Sequence, residues 1–119
     1  MAKKVLILVR KGPYGTVHTT DAFRSISGLS VFGLQVSALF SDDGVYTLMK
    51  NQEPSGILMG PLDKGLKPLK DFGAKIYVTR ECLQMRGISE EEIEDVCDRI
   101  IERSDAVTLL RDSDVVIPY

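Results

Sequence analysis

Short stretches rich in aliphatic and β-branched residues recur along the chain, separated by polar, glycine-containing turns. The first of them is a continuous apolar run, which is typical of a strand covered on both faces. The pattern predicts strands at Lys4–Val9, Leu34–Phe40, Ala74–Thr79 and Asp114–Ile117. Ile57–Met59, flanked by two glycines, is a candidate for one further short strand.

Between these stretches the apolar residues recur at helical spacing. A first helix is predicted to begin at Thr19 or Thr20, either of which is a suitable N-cap, and to end at Gly33. The same spacing predicts shorter helices at Val45–Met49, Asp63–Phe72 and Glu81–Met85.

The strongest helical pattern lies in Ser89–Arg103. Ser89 and Glu92 have the spacing of a capping box. Apolar residues then recur at i, i+3, i+4, i+7 and i+8, namely Ile93, Val96, Cys97, Ile100 and Ile101. We therefore expect an amphipathic helix here, followed by a last short helix capped by Ser104 or Asp105.

Alternation of strands and helices favours right-handed βαβ crossovers. The expected fold is α/β: a three-layer α/β/α sandwich around a mainly parallel sheet of about five strands, flavodoxin-like in general architecture. A chain of 119 residues fits one domain, residues 1–119. Functional residues of such sheets gather beyond the carboxyl ends of strands, here in the loops Arg10–Val17, Ser41–Val45 and Thr79–Gly87.

Charge and composition narrow the function classes. With 15 basic and 17 acidic residues the net charge is −2, which argues against direct nucleic-acid binding. No apolar run approaches the roughly 18 residues of a membrane span, so no membrane association is expected. The apolar run after Met1 is too short for a secretory signal and ends at Arg10. We therefore expect a cytoplasmic protein with reduced thiols.

Cys82 is the candidate reactive group. It lies three residues past Thr79 at the start of a predicted helical turn, with Arg80 and Arg86 close in sequence. Helix N-termini and cationic neighbours favour the thiolate, which is the nucleophilic form of cysteine. Such a thiolate can take up sulfane sulfur as a persulfide and pass it on by exchange. The alternative is a small apolar side chain that packs under the loop.

Cys97 contrasts with Cys82. It falls within the apolar stripe of Ser89–Arg103, so we interpret it as a buried structural residue. The two cysteines differ too much in setting to suggest a redox pair, and they form neither a disulfide framework nor a zinc site.

Other polar groups give weaker indications. Asp42 and Asp43 have the chemistry of a Mg²⁺ site, but N-capping of the next helix is the preferred interpretation. The loop Gly12–Thr16 could offer N–H groups to an anion, yet it matches neither a Walker A loop nor GxGxxG, and a tight turn explains its glycines. His18 has no identifiable nucleophile as partner. We predict no cofactor and no metal.

Four sequence marks carry a family resemblance. They are Gly12-Pro13-Tyr14-Gly15-Thr16 followed by Ala22-Phe23-Arg24, then Asp43-Gly44-Val45-Tyr46, then Arg86-Gly87-Ile88, and finally Ser113-Asp114-Val115-Val116-Ile117. Together and in this order they resemble the DsrE/DsrF-like sulfur-relay family over nearly the whole chain. The Pro-Tyr-Gly turn is most similar to the DsrF/TusC branch.

The resemblance implies an α/β sandwich that handles sulfur, either in intracellular sulfur oxidation or in sulfur delivery for tRNA thiolation. It implies a sulfurtransferase-like carrier rather than a multiple-turnover enzyme. The implied partners are further copies of the chain or related subunits, together with sulfur donor and acceptor proteins. A homotrimer, homohexamer or hetero-hexamer is the implied assembly.

Residue by residue, the resemblance gives two opposing signals. In the DsrE/TusD type the sulfur-accepting cysteine lies eight residues before the glycine that corresponds to Gly87, and Thr79 stands there. Cys82, five residues before that glycine, matches a position used in YchN-like relatives. Arg80 and Arg86 are the candidates for thiolate stabilisation, and the residues expected in the loops near the site are Pro13, Tyr14, Gly15, Asp43 and Gly44. The alternative is a non-catalytic structural subunit.

Overall fold

The computed structural model describes residues 3–12, 14, 18–49 and 66–119. Its strands are β1 (Lys4–Val9), β2 (Gln35–Phe40), β3 (Lys75–Thr79), β4 (Arg99–Ile101) and β5 (Val115–Pro118). They form one sheet in the order β4-β3-β2-β1-β5, and every pairing between neighbours is parallel. The expected parallel sheet of about five strands is therefore confirmed.

The described helices are α1 (His18–Val31), α2 (Leu66–Asp71), α3 (Arg80–Met85) and α4 (Arg103–Asp112), with 3₁₀ helices η1 (Asp42–Leu48) and η2 (Glu90–Glu92). From β1 to β4 the chain moves across the sheet in one direction, and it then returns past β1 to β5. Right-handed crossovers accordingly put α1, α2 and α3 on one face and α4 on the other. This arrangement is the expected three-layer sandwich.

The larger core lies beneath α1, α2, α3 and η1. It is built from alternate residues of the strands and from the inward side chains of the helices. Its fully buried members include Ile7, Val9, Ile26, Phe40, Leu48, Leu66, Ile76, Leu83 and Ile93. This continuous apolar layer holds the carboxyl ends of β2 and β3 in place.

The opposite face has a smaller core. Its buried residues are Leu6, Leu39, Ile101 and Ala106. Beside α4 an open groove of about 650 Å³ runs along the amino-terminal half of the sheet. Side chains and backbone of Gln35, Ser37, Lys75, Tyr77 and Arg99 line it from the strands.

The predicted helix over Ser89–Arg103 is wrong. The segment forms η2, a series of turns and the strand β4, and the Ser89 side chain makes no cap hydrogen bond. Ile93 belongs to the larger core, whereas Ile101 belongs to the core beneath α4. Side chains on one helical stripe could not reach opposite faces of a sheet. Pairing of β4 with β3 satisfies the backbone of the β-branched residues Ile100 and Ile101 instead.

The expected cap of the last helix also needs correction. Neither Ser104 nor Asp105 is the N-cap of α4, because Glu102 occupies that position. The Glu102 side chain accepts a hydrogen bond from the backbone N–H of Asp105, the third residue of the helix. In return, the Asp105 carboxylate accepts a hydrogen bond from the Glu102 backbone N–H at 3.3 Å. This reciprocal capping box explains why α4 begins at Arg103.

The remaining predicted elements fall close to their expected places. The first helix begins at His18, and the Thr19 hydroxyl donates to the carbonyls of Lys11 and Gly12 instead of capping the helix. Of the predicted helix Asp63–Phe72, the structure describes Leu66–Asp71 as helical, and Ile57–Met59 lies outside the described residues. Within the ranges that the structure describes, no helix has the length and apolar character needed to cross a bilayer.

Candidate functional site

The candidate site lies at the carboxyl edge of the sheet, where two neighbouring strands end. The 3₁₀ helix η1 follows β2, and α3 follows β3. Because β2 and β3 pair in parallel with Phe40 opposite Val78, their connections emerge side by side. Two of the three loops indicated by the sequence, Ser41–Val45 and Thr79–Gly87, are thus in contact.

Cys82 lies on α3, facing η1. Its Sγ accepts a hydrogen bond from the Asp42 backbone N–H at 3.2 Å, although 40 positions separate the two residues. The side chain is half-buried and packs against the larger core. The sulfur therefore combines an apolar support with a polar donor from the neighbouring loop.

Arg86 joins the same two segments. Its Nε donates to Asp43 Oδ1 at 3.2 Å, and its Nη2 lies 3.1 Å from the same oxygen. Its Nη1 donates to the backbone carbonyl of Cys82 at 3.3 Å. The guanidinium thus bonds to the loop and to the main chain of α3, so that Asp43 lies beside the Cys82 segment.

Arg80 faces away from this cluster. Its guanidinium pairs with Glu90 of η2 at 3.4 Å and with Glu102 at the N-cap of α4. Two carboxylates therefore share its charge. Of the two arginines proposed to stabilise a thiolate, the structure joins Arg86 to the Cys82 segment and engages Arg80 elsewhere.

The loop beside Cys82 has an unusual backbone. Asp42 has φ of +50°, a left-handed conformation that is uncommon for residues other than glycine. Gly44 is buried, and a Cβ atom there would lie 2.1 Å from the Val9 carbonyl oxygen. The sequence indicates Asp43 and Gly44 as residues near the candidate site, but it does not indicate that the Asp42 N–H donates to Cys82 Sγ. Every residue except proline has a backbone N–H, so the residue type does not show which one is the donor.

The structure describes only part of the first of the three loops, Arg10–Val17. Tyr14 is half-buried, while Pro13 and Gly15 lie outside the described residues. The anion-binding interpretation of Gly12–Thr16 falls largely on that undescribed part of the chain.

Comparison with known proteins decides the family. The family model described as DsrE/DsrF-like matches residues 3–119. The chain belongs to the DsrE/DsrF-like family. One curated relative is the intracellular sulfur oxidation protein DsrF of Allochromatium vinosum, which is 31% identical to this chain. The match spans 100% of this chain and 98% of the relative. A TusC homolog of Vibrio parahaemolyticus is 29% identical over 72% of this chain and 74% of its own length. These relatives support the sulfur-handling role expected of the family.

Solved structures show the same DsrE/DsrF-like fold. The ychN protein of E. coli superposes with a TM-score of 0.84 at 20% identity, with 100% of both chains covered. The protein MTH1491 of Methanobacterium thermoautotrophicum gives a TM-score of 0.68 at 12% identity over 98% of this chain and 99% of its own. At these identities the likeness concerns the fold.

Thr79 and Cys97 are two further positions that the sequence singles out, Thr79 through the resemblance to the DsrE/DsrF-like family and Cys97 through its place in an apolar stripe. Thr79 ends β3 with 7% of its surface exposed, and its hydroxyl has no hydrogen-bond partner among the described residues. Cys97 lies in the turn before β4, and its thiol donates to the Arg99 carbonyl at 3.0 Å. Burial raises the pKa of Cys97 to about 11, and the charge of Asp98 acts in the same direction. Cys97 is therefore a neutral thiol at physiological pH, in keeping with a structural role.

Proposed function

We propose that this protein accepts sulfane sulfur on Cys82 as a persulfide and passes it on within an oligomeric complex. The observation that carries the proposal is the hydrogen bond from the Asp42 N–H to the Cys82 Sγ, at 3.2 Å. A sulfur that accepts an N–H donor is better prepared to hold negative charge than one surrounded by hydrocarbon. Its position beyond the carboxyl ends of β2 and β3 is where parallel sheets place functional residues.

The proposed transfer is a thiol exchange without net oxidation. The Cys82 thiolate attacks the outer sulfur of a donor persulfide, and a new S–S bond forms at Cys82. The donor S–S bond breaks, and the donor leaves as a thiolate that takes up a proton. An acceptor thiolate then attacks the outer sulfur on Cys82, which returns Cys82 to the thiolate. The chain is a carrier in this scheme.

The family supports this assignment. The name of the Allochromatium vinosum relative describes intracellular sulfur oxidation, and the TusC homolog belongs to the branch that the resemblance connects with tRNA thiolation. We propose one of these two routes for this protein, with further copies of the chain or related subunits as partners in a trimer or hexamer. A cytoplasmic location accords with the proposed reduced thiols.

A second candidate function is that of a structural subunit whose complex carries its main thiol on another chain. Thr79 supports this alternative because a threonine hydroxyl cannot form a persulfide. The buried Thr79 hydroxyl stands at the position where the resemblance implies the acceptor cysteine of the DsrE/TusD type. In this alternative, assembly does not depend on Cys82.

Sulfur loading tests the first proposal. The reduced protein is incubated with a low-molecular-weight persulfide, and intact mass spectrometry then counts added sulfur atoms. We expect one added sulfur in the parent and in Cys97→Ser, and none in Cys82→Ser. Equal loading of Cys82→Ser and the parent contradicts the proposal.

Sizing with the Cys82→Ala variant tests the alternative. A structural subunit requires the variant to assemble like the parent and requires the parent to take up no sulfur. Sulfur uptake by the parent at Cys82 argues against a purely structural role, whatever the size of the assembly.

A further inference from the structure

We infer that Arg86 is a positioning residue: through its ion pair with Asp43 it fixes the loop that presents the Asp42 N–H to the Cys82 sulfur. The inference rests on the proposed function and assigns to Arg86 an indirect part in it. It differs from the simpler idea that the guanidinium stabilises the thiolate by its own charge.

The contacts of Arg86 favour an indirect role. Two of its nitrogens lie within 3.2 Å of one carboxylate oxygen of Asp43, and a third donates to the backbone carbonyl of Cys82. A guanidinium has a fixed fork of donors, so these three contacts define its orientation. Arg86 thereby ties the loop after β2 to the main chain of α3, at the residue that carries the sulfur.

The conformation of the loop explains why such a tie is needed. Asp42, with φ of +50°, occupies the left-handed region of backbone conformation, which is unfavourable for a residue with a side chain. The buried Gly44 holds the loop on one side, where it packs against the Val9 carbonyl. The Asp43–Arg86 pair holds it on the other side. Asp42 directly precedes these two anchored residues in the chain, and its N–H donates to the sulfur.

The charge of Asp43 allows an experiment to distinguish stabilisation of the thiolate by the Arg86 charge from positioning of the loop by Arg86. Asp43 is an anion paired with a cation that is only one-fifth exposed. If Arg86 acted by charge, removal of Asp43 would delete a negative charge and leave the guanidinium free to favour the thiolate. If Arg86 acts by position, removal of Asp43 loosens the loop and weakens the Asp42 donor. The same substitution therefore has opposite expected effects.

The experiment measures alkylation of Cys82 by iodoacetamide against pH in a Cys97→Ser background. No sulfur donor is involved, so failure here is distinguishable from failure of the persulfide proposal. The variants are Asp43→Ala, Arg86→Met and their combination, with Glu81→Ala as matched control because it removes an exposed carboxylate of α3 next to Cys82. Asp43 is two-thirds exposed, so its truncation leaves the core intact.

We expect Asp43→Ala and Arg86→Met each to slow alkylation at pH 7 by about threefold to tenfold, since a hydrogen bond to a charged group is weakened. The midpoint of the pH profile moves upward in both. The double variant is no slower than the slower single variant, because both act on the same loop. Glu81→Ala leaves the rate unchanged or raises it slightly.

Faster or unchanged alkylation of Asp43→Ala overturns the inference in favour of direct charge stabilisation or of no role. The inference is also overturned if the variants change only the alkylation rate at high pH and leave the midpoint of the pH profile where it is in the parent. Altered access of iodoacetamide to Cys82 would explain that result. Additive effects in the double variant count against a shared loop in the same way.

Discussion

Gly44 lies against the carbonyl oxygen of Val9, at a distance that leaves no room for a side chain. A Cβ atom on Gly44 would be 2.1 Å from that oxygen and 2.8 Å from its carbon. The same oxygen accepts the Ser41 N–H at 3.0 Å, so the strand end cannot shift away from Gly44 without straining this bond. The loop that borders Cys82 is thus anchored on β1 as well as on β2.

Gly44→Ala is expected to destabilise the protein by about 1–3 kcal/mol, because the added methyl group meets backbone and not a flexible side chain. Urea denaturation measures the free energy of unfolding. Gly28→Ala is the control: Gly28 is an exposed residue of α1 where a Cβ meets nothing within 4 Å. That variant should gain about 0.5–1 kcal/mol from helix propensity. A Gly44→Ala variant as stable as the parent would refute the steric argument.

The two cysteines are expected to react very differently in the native protein. Both cysteines are half-buried, but desolvation raises the pKa of Cys97 to about 11. Since the thiolate is the reactive form, Cys97 should be modified only after unfolding. Reaction with a disulfide reagent at pH 8 should therefore consume one thiol per chain in buffer and two in denaturant. Peptide mapping identifies the residue, and native labelling of Cys97 ahead of Cys82 would contradict the expectation.

Alkaline pH should weaken the fold partly through Cys97. Its folded pKa of about 11 lies above the ordinary cysteine value of 9.0, which applies to the unfolded chain. The folded chain keeps the proton that the unfolded chain loses, so this contribution is complete below the unfolded value and is lost as pH rises through about 11.

Urea midpoints measured from pH 8 to 11 under reducing conditions test this dependence. Cys97→Ala removes the titrating group, so its stability should fall less steeply than that of the parent, by at most about 1.4 kcal/mol per pH unit. Identical slopes for the two proteins would show that Cys97 does not contribute.

The cap of α4 offers a direct comparison between neighbours. Asp105→Ala removes the carboxylate that accepts the Glu102 N–H, and we expect a loss of about 0.5–1 kcal/mol. Ser104→Ala should be close to neutral, because Ser104 is exposed and is not the cap. Thermal unfolding of the two variants decides between them. A larger loss for Ser104→Ala would favour the cap first expected from the sequence.

Much of this fold was predictable because buried parallel strands have a strong pattern. The run Lys4–Val9 reads as a strand without any knowledge of its neighbours. Once β2 and β3 are placed in one parallel sheet, contact between the loops that follow them becomes an expectation. The proximity of Asp43 to the Cys82 segment follows from this reasoning.

The Ser89–Arg103 segment shows where the pattern is insufficient. Its apolar residues satisfy a helical period, yet Ile93 and Ile101 are buried on opposite sides of the sheet. Pairing with β3 outweighs the local preference, and pairing is a long-range property that local spacing does not contain. The hydrogen bond from the Asp42 N–H to Cys82 is unpredictable for a related reason, since the direction of that N–H depends on the backbone conformation of the loop.

The uneven cover of the sheet has a consequence for how the sequence can vary. On β2 and β3 the residues beneath α1 and α2 are apolar, while Ser37 and Tyr77 on the other side border the open groove. Near their amino-terminal ends, β2 and β3 therefore carry an apolar side under the helices and a side open to the groove, whereas Leu39, further along β2, is buried on the α4 side. Substitutions one residue apart on the same strand should differ sharply in their tolerance: Ala38 permits little change, and Ser37 permits a wide choice of polar side chains.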